Sequence, residues 1–188
     1  MGPSIKLILI GTLFVASARA ELLLTPSIDE YELDGAKLKQ LAFQDGGKKV
    51  TYQSPRGWDY SGTATQLTLR PLKKTQAEAT ITRIPLPAPG MFDDETLKKL
   101  VADPAALAPK GSQNVAITSQ EKNPLLINRK ETFLVVVNYD FYGESYSRSI
   151  LFLNREREQL RFQLTSRKAD FRELHQAFLS SQYSWQNL

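Results

Sequence analysis

The chain has no cysteine and only one histidine. Without cysteine there is no disulfide, no thiol nucleophile and no thiolate metal site. It also has no lipid-modified cysteine at a processing site. No N-x-S/T glycosylation acceptor occurs. The phosphate-cradling patterns G-x-x-x-x-G-K-[ST] and G-x-G-x-x-G are missing, as is the G-x-S-x-G nucleophile elbow; "YGESYS" does not match it. No internal repeat or low-complexity tract appears. Long apolar runs are confined to one place, Leu7 to Ala16, and that run falls short of the about 20 residues a membrane helix needs.

Lys6 precedes this run, and Ala18-Arg19-Ala20 follows as an A-x-A processing signal. Together they predict a secretory signal peptide over residues 1–20 and an exported chain starting at Glu21. Export without cysteine points to a bacterial periplasm or exterior, since secreted eukaryotic domains often carry disulfides. Loss of Lys6 and Arg19 takes the 24 basic residues to 22 against 20 acidic ones, a net charge near +2. That balance excludes a nucleic-acid partner read through charge alone. The remaining chain is long enough to bury roughly 70% of its unfolded surface in one core.

Residues 21–47 read as an N-terminal extension and first hairpin strand. "ELLLTPSIDE" shows no period and reads as a mobile entry segment. Asp45-Gly46-Gly47 separates "KQLAF" from "KKVTYQ" as a hairpin turn would. The main domain is placed at 48–188. Pro55 ends the strand that contains Val50 and Tyr52. Period-two alternation marks "AEATITRIPL" and "EQLRFQLTS" as strands, with "TQLTLRPL", "NVAITS" and "ESYSRSILFLN" alongside them. "ETFLVVVNYDFYG" is apolar on both faces and reads as a central strand covered on both sides. "FDDETLKKLV" reads as a helix capped by Asp93 or Asp94, with Leu97, Leu100 and Val101 as its apolar stripe. Asp103-Pro104 starts a second short helix. Phe171, Leu174, Phe178 and Leu179 recur at helical spacing, and Asp170 with Glu173 has capping-box spacing. The order predicts an α+β fold with a largely antiparallel β-sheet flanked by helices.

With "SPRGW" after an early strand, a mid-chain helix, a strand-rich second half and the closing "DFRELHQAFLSSQYSW", the chain resembles the PsbP-like fold. That fold is shared with the Ran-binding import factor and with many small exported bacterial proteins. The resemblance covers roughly residues 48–186. It implies an antiparallel sheet with helices against its faces, no common catalytic site, and an accessory or binding role. No motif specifies a photosystem or a Ran partner, and the export signal argues against Ran.

Several residues carry candidate chemistry. In "YQSPRGWDYSG", Trp58 reads as a core plug after the Pro55–Gly57 corner, leaving Arg56 and Tyr60 to contact a partner. Arg155, Arg157 and Arg161, with Arg167 and Lys168, form the most basic region, with Tyr139, Tyr142 and Tyr146 on neighbouring strands. Glu156 and Glu158 interleave with these arginines, as in solvated cross-strand pairs. His175 lies at the edge of the last helix's apolar stripe, where a boundary histidine is the simpler reading than a catalytic base. The acids at 93–95 fit helix-dipole compensation better than a metal loop, and Asp140 is the one acid in an apolar setting. These observations predict an exported non-catalytic binding or accessory protein with no cofactor and no metal. Its partner would be an envelope protein or a small ligand. The alternatives are a small-ligand carrier and an envelope hydrolase with no recognisable motif. The sequence does not set the oligomeric state.

Overall fold

The computed structural model describes residues 21–188, so the signal-peptide expectation for residues 1–20 lies outside the described residues. Strands β1 (Leu22–Leu33), β2 (Ala36–Asp45) and β3 (Lys48–Tyr52) form a small sheet in that order. Seven more form a large sheet: β4 (Trp58–Gly62), β5 (Gln66–Pro71), β6 (Glu78–Pro85), β7 (Gln113–Lys122), β8 (Thr132–Phe141), β9 (Glu144–Asn154) and β10 (Glu158–Arg167). Their spatial order is β4-β5-β6-β10-β9-β8-β7, and every pairing in both sheets is antiparallel. Helix α1 (Asp94–Val101) precedes β7, and α2 (Lys168–Ser181) follows β10. No helix among the described residues is long and apolar enough to cross a membrane. The α+β class with a largely antiparallel sheet holds.

The large sheet buries its two faces unequally. Leu67, Leu69, Ala79, Ile81, Leu134, Leu151, Leu153, Leu160, Phe162 and Leu164 point to one side. There they meet Leu22, Leu24, Phe43, Val50 and Tyr52 of the small sheet and Leu174 and Phe178 of α2. On the other side Phe133, Val135, Val137, Ile150 and Phe152 meet Phe92 and Leu107, with Leu97, Leu100 and Val101 of α1 partly buried over them. β8 is therefore covered on both faces, as its unbroken apolar run requires. It lies one strand in from the β7 edge. α1 is capped as its sequence implies, with Asp93 accepting from the Thr96 N–H at 2.8 Å. A 3₁₀ turn at Pro104–Leu107 follows, capped by Asp103.

Three expectations need correction. "ELLLTPSIDE" is not a loose entry segment: it forms most of β1, and Leu22 and Leu24 are fully buried. A register shift between Leu23 and Ser27, around Pro26, breaks the alternation and hides the period. β1 also passes close to Gly62, where an added Cβ would lie 2.4 Å from the Leu24 carbonyl oxygen. The Asp170 capping box does not form. β10 runs straight into α2 with Arg167 at the cap position, so Asp170 falls inside the first turn and pairs with Lys74 at 2.6 Å. "WDYSG" is a strand in its own right, the edge strand β4. Trp58 is half-buried rather than a full plug, its ring stacked on Phe178 at 6.1 Å. Gly57 turns the corner before it with φ of 76°.

Two devices fasten the small sheet to the large one. The first is Trp185, near the chain's end, stacked on Tyr52 at 4.6 Å and on Phe43 at 5.5 Å. Its indole N–H donates to Gln182 Oε1 at 3.0 Å, so the buried ring leaves no orphan donor. Gln186 then exchanges two backbone hydrogen bonds with Thr51 of β3. The second is a buried ion cluster. The Arg155 guanidinium pairs with Asp45 at the end of β2 and with Glu158 at the start of β10. Arg83 of β6 lies 3.7 Å from Glu158 and 2.8 Å from Glu21. Burial pushes the Glu158 carboxyl up, against the pull of Arg155 and Arg83.

Removing one member of such a cluster strands the others in low dielectric. Arg155→Met is expected to destabilise the chain by about 3–5 kcal/mol, read as a lower urea midpoint. Adding Asp45→Asn and Glu158→Gln should recover most of that loss, because no charge is then left buried alone. Equal midpoints for wild type and Arg155→Met would show that the cluster contributes nothing.

Candidate binding face

On the side away from the main core, β5, β6 and β10 carry polar residues in register, with Ile84 at the far end of β6 as the one apolar exception. Thr68 sits opposite Thr80, and Gln66 opposite Thr82. Arg161, Gln163 and Thr165 of β10 sit opposite Thr82, Thr80 and Glu78. The apolar cluster on this side of the sheet is built on β7, β8 and β9. Neither helix lies over β5, β6 and β10 here: α2 packs with the main core on the opposite face, and α1 joins the cluster over β7–β9. The alternation of strand residues, apolar inward and Thr/Gln/Arg outward, thus leaves half of this face open and polar.

Arg148 stands at the border between the covered and open halves. It follows Tyr146 by two positions on β9 and precedes Ile150 by two, so it shares their face. Its Nε–H donates to Thr165 Oγ1 at 2.9 Å, and Nη1 donates to the Leu107 carbonyl at 3.2 Å. The guanidinium carbon lies 5.7 Å from the centre of the Tyr139 ring, which stacks on Tyr146 at 5.8 Å. No carboxylate forms an ion pair with Arg148 among the described residues. Its neighbours are neutral oxygens and a ring face. Desolvation lowers the Arg148 pKa, while the same burial raises that of Tyr139. A cleft of about 260 Å³ opens beside it, bounded by Arg70, Gln76, Glu78, Gln163 and Thr165. Arg70 and Glu78 are paired at 2.5 Å, and the Tyr146 hydroxyl donates to Gln76 Oε1 at 3.4 Å.

The residues singled out from sequence fall in several places. Arg56 is exposed at the corner before β4. Tyr60 is 41% exposed on β4, but it pairs with Leu69 and so projects to the main-core side of the edge. Arg155 is locked in the buried ion cluster and presents no free charge. Arg157 is exposed in the β9–β10 turn. Arg161 alone lies on the open half. Its guanidinium sits 5.5 Å from the Phe152 ring centre, its Nε–H donates to Gln159 Oε1 at 2.9 Å, and desolvation lowers its pKa. Of the tyrosines, Tyr139 and Tyr146 come together across the β8–β9 hairpin, while Tyr142 is 93% exposed at its tip. Arg148 was missed, because in "ESYSRSILFLN" it reads as one more outward residue. What sets it apart in three dimensions is half-burial without an acidic partner, since the other half-buried arginines, Arg83 and Arg155, are paired with acids.

The remaining candidates have local explanations. Asp140 accepts from Asn114 at 2.8 Å and from Ser145 at 2.7 Å, and these bonds hold its carboxyl below the usual range. Asp93 is likewise held low by its cap bond. No group of three acidic or histidine side chains is placed to hold a metal among the described residues. His175 stacks on Phe171 at 4.9 Å, and its Nε2 is buried without a hydrogen-bond partner. A second cleft, of about 450 Å³, is bounded by Met91, Phe92, Asp93, Lys130 and Asn154. Lys122 at its edge is tied to the Phe92 carbonyl and faces Glu131.

No protein-family model matches the chain, and no curated protein matches it in sequence. Among solved structures, it is similar to the solution structure of cyanobacterial PsbP (CyanoP) from Synechocystis. The two share 10% identity over 94% of this chain and 98% of that one, with a TM-score of 0.52. A protein of unknown function from Pseudomonas aeruginosa matches over 84% of this chain and 94% of its own length, at 16% identity and a TM-score of 0.45. The likeness to CyanoP, together with the antiparallel sheets and two helices, gives the chain a PsbP-like α+β fold.

Burial lowers the His175 pKa from its ordinary 6.5. The folded chain then binds a proton there more weakly than the unfolded chain does. The stability tied to this group is complete above 6.5 and is lost as pH falls below that value. Between about pH 8 and about pH 5 the wild-type urea midpoint should fall, and His175→Phe, which keeps the stack on Phe171, should fall less. Parallel curves for the two proteins would contradict a neutral buried imidazole.

Proposed function

We propose that the chain is an exported, non-catalytic accessory protein that binds an envelope protein with the open half of its large sheet. The observation that carries this reading is the polar surface on β5, β6 and β10, left bare beside an apolar cluster that covers only β7–β9. A sheet face of Thr, Gln and Arg side chains in register offers hydrogen bonds and charge to a partner over a broad area. The accessory role implied by the PsbP-like resemblance supports the same reading, and the features of residues 1–20 support the export.

Mild crosslinking of the exported chain in its native envelope, followed by capture, tests the proposal. One stoichiometric protein partner is expected. Arg161→Glu reverses a charge on the open half and should reduce capture by about tenfold, the equivalent of ~1.4 kcal/mol. Arg56→Glu, at the far corner, should leave capture unchanged. Recovery of the wild-type chain alone would count against an accessory role and favour the small-ligand carrier. Loss of capture with Arg56→Glu, but not with Arg161→Glu, would move the interface to the β4 edge.

A further inference from the structure

A half-buried arginine with no acid beside it is an unbalanced charge. Burying a guanidinium costs free energy unless a counter-charge offsets it. Elsewhere the half-buried or buried arginines of this chain show how that balance is usually met: Arg155 has Asp45 and Glu158, and Arg83 has Glu21 and Glu158. Arg148 has the Thr165 hydroxyl, the Leu107 carbonyl and the ring and hydroxyl of Tyr139, all of them neutral. Its hydrogen bonds to Thr165 and Leu107 use Nε and Nη1, and the cleft opens beside the guanidinium.

The cleft's lining sets the charge of what fits. Arg70 and Glu78 neutralise each other across their ion pair, which leaves one net positive charge, that of Arg148. A monoanion balances it, whereas a dianion would bring one charge too many against Glu78. Gln76, Gln163 and Thr165 add neutral donors around the opening. A planar guanidinium matches a planar carboxylate through two parallel N–H···O bonds. We propose that the Arg148 cleft is a carboxylate site and that it receives an aspartate or glutamate side chain of the partner. The identity of the carboxylate's owner rests on the accessory reading above; the carboxylate chemistry does not.

The site is tested by titrating the purified exported chain with sodium acetate, with N-acetyl-glutamate amide and with inorganic phosphate. Ionic strength is held constant with chloride, and the side-chain and backbone NMR signals of Arg148, Gln76 and Thr165 are followed. Saturable shifts centred on these residues are expected with both carboxylates, and weaker binding with phosphate. R148Q should lose the response, R148K should bind at least about tenfold more weakly because an ammonium lacks the fork, and R157Q should respond as wild type does. Non-saturating shifts spread over the surface would overturn the site, as would a response that survives in R148Q or phosphate binding tighter than acetate. If R148Q does not give a folded spectrum, the wild-type shift pattern and R148K decide. Tight binding of acetate but not of the blocked glutamate would assign the cleft to a free small acid and overturn the partner's side chain as occupant. Capture of the envelope partner by R148K as efficiently as by wild type would overturn the same assignment while leaving the accessory reading intact. Carboxylate binding by a chain that captures no partner would overturn the accessory reading, and the partner's side chain as occupant with it, while leaving the carboxylate site standing.

Discussion

A sheet of seven strands has two faces to hide, and this chain carries apolar cover for most of one and about half of the other. The constraint is written into the strands. β8 and the inner part of β9 are apolar on both sides, whereas β5, β6 and β10 alternate Leu, Ile, Ala or Phe with Thr, Gln and Arg. The small sheet and α2 cover the first face over β5, β6, β10, β9 and β8. α1 has eight residues and the 3₁₀ turn four, enough to roof β7–β9 and no more. Arg148 stands where the roof ends. That position half-desolvates its charge and opens it to a cleft at the same time.

The covered face depends on contacts far apart in sequence. Asp45 and Arg155 are 110 positions apart, and Tyr52 and Ser181, whose hydroxyls lie 2.7 Å apart, are 129 apart. Trp185 fills the space between the sheets with a large apolar ring. The ion cluster adds directionality, since a guanidinium held by two carboxylates fixes the turn between β9 and β10 against the end of β2. Packing therefore drives the sheets together, and the cluster fixes their relative register. A buried ion pair contributes little net stability over an apolar replacement, but removing one partner alone is expensive.

Most of the architecture was legible in the sequence because local chemistry and tertiary role agree. Leu160, Phe162 and Leu164 alternate with Arg161 and Gln163, and the strand they predict is present with that orientation. Asp93 and Pro104 mark helix starts that the structure keeps. The failures have physical causes. Around Pro26 a register shift scrambles the alternation of β1, so Leu22 and Leu24 looked like part of a loose segment. β4 is five residues long, with Asp59, Tyr60 and Ser61 exposed, and offers no apolar period to detect. The Arg/Glu alternation at 155–158 matches solvated surface pairs, yet Glu158 is buried and Arg155 half-buried, with Arg155 paired to both Glu158 and Asp45. The candidate site was the least legible part. Tyr139 and Tyr146 were picked out by composition, but the arginine beside them is distinguished by a missing acid, which one-dimensional spacing does not reveal.

The central claim is that the bare half of the large sheet is where the chain is held by its partner. Photo-crosslinking residues placed one at a time at Thr80, on the open half, and at Lys98, on the outer side of the roof, test it most directly in the native envelope. The account predicts a discrete crosslinked partner from Thr80 and none from Lys98. A partner crosslinked from Lys98 and not from Thr80 would contradict it.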